Sequence, residues 1–174
     1  MSTNHAVQFY NDDVFLIDAI SAFITDGHKE NATNIIVATE NHRDAFRSAL
    51  RKLGAPELEG KLMEFDASEL LSTFMVDDWP NKGRFNFSVG QIVQEAARQG
   101  PVRIYGEMVA LLWAQGKPRA AIHLEELWND LTARHAFSLL CGYPNAAFPN
   151  QDNNDSFLQV CNIHTHVHPA EQSS

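Results

Sequence analysis

Only two of the 174 residues are cysteine, Cys141 and Cys161, too few for a disulfide framework. Basic residues are also scarce: 13 Lys+Arg stand against 22 Asp+Glu, a net charge of −9 with neutral histidines. No Lys/Arg cluster offsets that balance, so neither nucleic acid nor an anionic membrane surface is an expected partner. No apolar run approaches the ~18 residues of a membrane span. Met1–His5 lacks the basic n-region and apolar h-region of a signal peptide. These absences lead to the expectation of a soluble, cytoplasmic protein with reduced thiols.

Glycine is missing where it would matter most. The first strand-to-helix turn reads FYNDDVF, from Phe9 to Phe15. A phosphate loop would place glycines there, followed by Lys-Ser/Thr. Asp12 and Asp13 would instead repel phosphate from a helix N-terminus that otherwise attracts it. ATP or a dinucleotide held in the usual way is therefore not expected, and no cofactor is assigned. There is no G-x-S-x-G, and neither cysteine has a histidine beside it in sequence, so no catalytic residue is named.

What is present reads as one globular domain. Apolar residues make up 44% and charged residues 20%, which argues against disorder. The β-runs are Ala6–Tyr10, Asn34–Thr39, Lys61–Phe65, Val102–Tyr105 and Phe137–Cys141, the last stopped by Gly142-Tyr143-Pro144. Helical patterns separate them. Val14–Thr25 follows the Asn11–Asp13 cap and ends at Gly27. A second helix runs from Thr39 or Asn41 to Leu53, closed by Gly54. A third begins at Asp66, with Glu69 at capping-box spacing. Phe85–Gln99, a short Gly106–Ala114 and Pro118–Arg134 complete the core. Asp77–Gly83 reads as a loop, as does Asn145–Asp155. Ser156–Ile163 is a last short helix before an end expected to fray. The core is expected over about 5–148, with a C-terminal helix and tail over 149–174.

Alternation of strands and helices predicts an α/β fold: a three-layer, mostly parallel sheet of five or more strands with helices on both faces. Ligands in such sheets bind outside the carboxyl ends of the strands. Tyr10-Asn11-Asp12, Thr39-Glu40, Asp66, Gly106-Glu107-Met108 and Cys141-Gly142-Tyr143 occupy those ends. Glu107 there can serve as a ligand group, a general base or a helix-start charge. Of Glu125 and Glu126, one is expected on the inner side of its helix, where burial beside Trp128 would raise its pKa. Trp113 and Trp128 are core residues by type and can also line an apolar pocket. His164, His166 and His168 alternate on an extended segment and are weak metal-ligand candidates, with Cys161 one helical turn from His164. The tail carries no carboxylate partner nearby, and no metal site is assigned to it.

Several stretches together carry a resemblance: HAVQFYNDD, IIVATENHR, RIYGEMVALLWAQGKPRAAIHLEELWNDL, FSLLCGYP and VCNIHTHVHPAE. Over about His5–Glu171 the chain resembles the MEDS domain, the methanogen/methylotroph, dichloromethane-regulator sensory domain. The resemblance implies a RecA/KaiC-like core without a Walker A loop, and a sensory module found in regulators and beside histidine-kinase modules. Its proposed ligands are small hydrocarbon derivatives. It singles out His5, Tyr10, Glu107, Trp113, Glu125, Trp128, Asn129, Cys141, Tyr143 and His164 as motif positions. No catalytic residue is carried over.

The reading that results is a stand-alone sensory module, not an enzyme. It binds an unidentified small ligand through Tyr10, Glu107, Trp113, Glu125, Trp128 and Tyr143, between the first and fourth strands. It signals to a histidine kinase or transcriptional regulator and can pair with itself as a homodimer. The alternatives are an interaction scaffold without a small ligand, and a metal-dependent enzyme built on Glu107, the C-terminal histidines and His5.

Overall fold

The computed structural model describes residues 4–54, 61–148 and 155–172, with the side chain of Ser156 excepted. Residues 149–154 of the expected 145–155 loop lie outside the described residues. The strands are β1 (Asn4–Tyr10), β2 (Thr33–Ala38), β3 (Leu62–Asp66), the short pair β4 (Met75–Val76) and β5 (Trp79–Pro80), β6 (Val102–Gly106), β7 (Ser138–Pro144) and β8 (His166–His168). The helices are α1 (Asp13–Lys29), α2 (Glu40–Leu53), α3 (Ala67–Ser72), α4 (Lys82–Ala97), α5 (Met108–Ala114), α6 (Pro118–Arg134) and α7 (Asp155–Ile163).

Six strands form one all-parallel sheet in the order β3-β2-β6-β7-β1-β8. Period-2 alternation sends neighbouring side chains to opposite faces. Tyr10, Ile36, Tyr105 and Leu140 face a layer made by α1 and α2, with Leu16, Ile20, Ile24 and Phe46. Val7, Phe9, Ile35, Ile104, Leu139, Cys141 and Tyr143 face α3 to α7, with Phe85, Val93, Leu124, Trp128 and Val160. The fold is thus three-layer α/β, as the alternating pattern requires.

Local chemistry sets most boundaries. Asp12 caps α1 by accepting from the Val14 amide at 2.6 Å. Asp66 caps α3 through the Glu69 amide at 3.0 Å, and Gly54 takes the left-handed turn after α2 with φ 63°. Four expectations are corrected. Gly27 lies inside α1 rather than ending it, because a Cβ there would fall on Asn34 and Arg103. Its role is close approach to the sheet. The 77–83 loop instead holds the β4–β5 hairpin, turned by Asp77 and Asp78 at φ 51° and 62°. Gly142 does not stop its strand, since β7 continues to Pro144. The tail does not fray at His166: it adds β8 alongside β1, and the Glu171 carboxylate accepts from the Asn11 amide at 2.6 Å and the Asp12 amide at 3.0 Å.

A Cβ on Gly142 would fall on the Tyr105 hydroxyl. That ring is rigid and buried, so it has no cheap way to yield. Gly142→Ala is expected to cost about 1–3 kcal/mol by overpacking, read as a lower midpoint in urea unfolding. An unchanged midpoint would show that the ring has room to move.

Candidate functional site

Two polar clusters lie against the central strands, one on each face. The first sits at the carboxyl edge, between β2 and β6. These neighbours send their next helices to opposite faces, α2 to one and α5 to the other, which is the topological switch point at which α/β sheets bind ligands. Glu107 follows β6 directly and is 3% exposed. Its own amide donates to the Val37 carbonyl at 3.0 Å. Its carboxylate accepts from the Tyr105 hydroxyl at 2.8 Å and the Thr39 amide at 2.9 Å. His42, in the first turn of α2, places Nδ1 at 2.5 Å from Glu107 Oε1 and Nε2 at 3.1 Å from Asp13 Oδ1. Tyr10 presents its ring edge-on to His42, with centroids 6.2 Å apart.

The hydrogen bond to Glu107 raises His42 to about 9. Burial opposes that shift, while the charges of Glu107 and Asp13 add to it. His42 is therefore an imidazolium at neutral pH, held between a buried and an exposed carboxylate. Burial, followed by the charges of Glu107 and Asp13, pushes the Tyr10 phenol well above its ordinary value. Beside this group, Arg43 ties the ends of β2 and β3 together, donating to the Ala38 carbonyl at 3.2 Å and to Asp66 at 2.9 Å.

The second cluster lies on the other face and is sealed from solvent. His5 of β1, Glu125 of α6, Cys141 of β7 and His164, between α7 and β8, bring one donor atom each to within 4.8 Å of one another. All four are buried. Burial disfavours the Glu125 charge, but His164 and His5 outweigh it and hold the carboxyl well below its ordinary range. This corrects the expectation of a raised value: the inward carboxylate meets two imidazoles rather than a bare aromatic surface. Burial and then Glu125 push the Cys141 thiol and the Tyr143 phenol up.

The six nominated ligand residues thus divide between the two faces. Tyr10 and Glu107 come together at the edge. Glu125 and Tyr143 belong to the buried cluster on the far side. Trp113 donates to the Ala147 carbonyl at 2.8 Å and packs on Phe148 at 4.5 Å. Trp128 is core, edge-on to Phe85 at 5.3 Å and near Phe137 at 6.2 Å. The tail histidines separate too. His164 turns inward, towards Cys141 rather than Cys161, while His166 and His168 are exposed on β8. Sequence reasoning missed His42 and Asp13 as partners of Glu107. The available signal was position, since His42 falls in the first helical turn beyond the carboxyl end of β2.

A parallel three-layer sheet with an acidic, glycine-free first turn and a carboxylate–imidazole pair at its carboxyl edge defines an α/β domain without a phosphate loop. The chain belongs to the MEDS family: the model of the MEthanogen/methylotroph, DcmR Sensory domain matches residues 4–165. Both clusters fall inside the matched span; β8 and Glu171 follow it. The family is one of sensory domains. No curated protein matches the chain. Among the described residues, no helix is long and apolar enough to cross a membrane.

Proposed function

We propose that this chain is a non-catalytic sensory module that binds a small polar hydrocarbon derivative at the carboxyl edge between β2 and β6. The observation that carries this reading is His42, charged and pinned between buried Glu107 and exposed Asp13 at the point where the helices diverge. A ligand with a hydrogen-bonding head competes with Asp13 for His42 Nε2, while Tyr10 offers an aromatic wall. Asp13 adjoins the turn on which Glu171 is latched, so displacing it disturbs the attachment of the tail. That gives binding a two-state element to bias. A histidine kinase or transcriptional regulator would read the change, in the cytoplasm, where Cys141 and Cys161 stay unpaired as they are here. The RecA/KaiC-like comparison is supported by the parallel three-layer sheet and the absent phosphate loop.

The test is a titration of short-chain alcohols, amines and halides, followed by amide and histidine NMR shifts. Saturable shifts at His42 and Tyr10, without chemical conversion of the compound, support the reading. Glu107→Gln should weaken that binding about 10–100-fold, because His42 loses the carboxylate that keeps it charged towards the ligand. Shifts that never saturate, or an unchanged affinity in Glu107→Gln, overturn it. One observation favours an interaction scaffold instead: both Glu107 oxygens are already bonded within the protein. In that reading the edge is purely structural, and a partner or second copy uses the groove of about 300 Å³ beside β8, lined by Ala6, Phe23, Arg103, Leu140 and His168.

A further inference from the structure

The buried cluster opposite the ligand edge has a donor set and geometry that its protein partners leave unexplained. The Asn129 side-chain oxygen accepts at 2.7 Å from His5 Nδ1, and its amide nitrogen faces the Ile163 carbonyl at 3.4 Å, which fixes the amide orientation. The Val160 carbonyl lies 2.5 Å from His164 Nδ1. A carbonyl oxygen can only accept, so both Nδ1 atoms carry their protons. Both Nε2 atoms are thereby aimed at the cluster centre, as in metal sites whose histidines are oriented by an outer hydrogen bond.

There they meet a carboxylate and a thiol. His5 Nε2 lies 3.5 Å from Glu125 Oε1 and 3.4 Å from Cys141 Sγ, and that sulfur lies 3.3 Å from the same oxygen. Ligand atoms of a four-coordinate ion with bonds of ~2.0–2.3 Å are roughly 3.2–3.6 Å apart. Three edges of the required tetrahedron are thus already at length. The other carboxylate oxygen, Glu125 Oε2, lies only 2.6 Å from His164 Nε2, and these two atoms have no partner beyond each other. Two imidazoles, a carboxylate and a sulfur converging in a dry core balance the Glu125 charge with a proton on an imidazole or with a metal ion among them, and the donor set suits the ion.

We propose that His5, Glu125, Cys141 and His164 bind one divalent transition-metal ion, with zinc the best match to a set of two imidazoles, one thiolate and one carboxylate. With both imidazoles neutral, that set carries −2, so a divalent ion leaves the buried site neutral. On loading, the Cys141 S–H bond breaks, a sulfur–metal bond forms and the proton leaves to buffer; no electron moves. The His164–Glu125 edge widens to admit the ion. With four protein ligands the site is closed, which marks it as structural. It joins β1, α6 and β7 to the segment that carries β8. That segment is also held by Thr165, whose amide donates to the His5 carbonyl at 2.7 Å and whose hydroxyl accepts from the His5 amide at 3.0 Å, by the pairing of β8 with β1 and by Glu171. The ion would therefore add a second tie between the tail and the sheet, apart from the Glu171 latch beside the ligand edge.

The test is titration of the tag-free, demetallated full chain with Co²⁺ alone, followed by absorption and by native mass spectrometry. The expected result is one ion per chain, a thiolate-to-cobalt charge-transfer band, the strong visible bands of four-coordinate cobalt, and loss of all of them when Zn²⁺ is added. Cys141→Ser should abolish the charge-transfer band, whereas Cys161→Ser and the double variant His166→Ala/His168→Ala should keep it. Absence of a stoichiometric ion, or loss of the band in Cys161→Ser or in the double variant, overturns the proposal. The wild-type and Cys161→Ser spectra decide the matter even if Cys141→Ser does not fold.

Discussion

Replacing Glu107 by Gln is expected to bring His42 from about 9 towards its ordinary value near 6.5, and to make the protein less stable below pH 7 by on the order of 3 kcal/mol. Gln keeps the shape of the side chain: its one oxygen can still accept from the Thr39 amide, while its NH2, which only donates, replaces the oxygen that faces Tyr105 and His42, so the change removes the charge together with one acceptor. The sign follows from linkage. The folded protein holds the His42 proton more tightly than the unfolded chain does. Its contribution is therefore fully present below about 6.5, shrinks as pH rises, and is lost above about 9. The groups facing this imidazole are Glu107, Asp13 and Tyr10. His42 is 13% exposed, so solvent screens the pair only in part. The measurements are histidine ring-proton titration by NMR and urea unfolding at pH 6, 7.5 and 9.5, each for both proteins. A stability difference independent of pH would show that the pair carries no charge coupling.

The strand ends were legible because short β-branched and aromatic runs, closed by capping residues, fix where a parallel strand stops. That alone located Glu107. That one of Glu125 and Glu126 turns inward was legible from helical spacing around Leu124 and Trp128; that it is Glu125 was shown by the structure. What completes each cluster was not legible, because it depends on pairing between segments far apart in sequence. His5 meets Cys141 only because β1 lies parallel to β7 with His5 opposite Leu139. Proximity in sequence pointed instead to Cys161, one helical turn from His164. His42 meets Glu107 only because β2 and β6 are neighbours. The sixth strand was hidden for a different reason. His166–His168 is a single exposed valine between two histidines at a sheet edge, too short to show a hydrophobic period. Asp77-Asp78 lacks the Asn-Gly signature of a two-residue hairpin, although aspartate tolerates the left-handed conformation it adopts there.

Trp128→Ala should be among the most destabilising single substitutions in the chain, about 3–5 kcal/mol. The residue was nominated as ligand-facing, so the size of this loss has a bearing on function. Trp128 is 2% exposed and wedged between Phe85 and Phe137, on the face of the sheet opposite Glu107. Removing it forfeits the transfer energy of the indole and leaves a cavity that rigid aromatic neighbours cannot fill. At this chain length each kcal/mol lowers the melting temperature by about 2–4 °C, so a fall of roughly 6–20 °C is expected by calorimetry. Trp128→Phe should recover much of it, because a ring still fills most of the space. Both variants, studied below their own transitions, should bind ligands at the His42 edge with unchanged affinity. A residue lining the ligand site would behave in the opposite way, losing affinity with little loss of stability. That outcome would move the site across the sheet, to the face that holds Trp113, Tyr143 and the buried histidines.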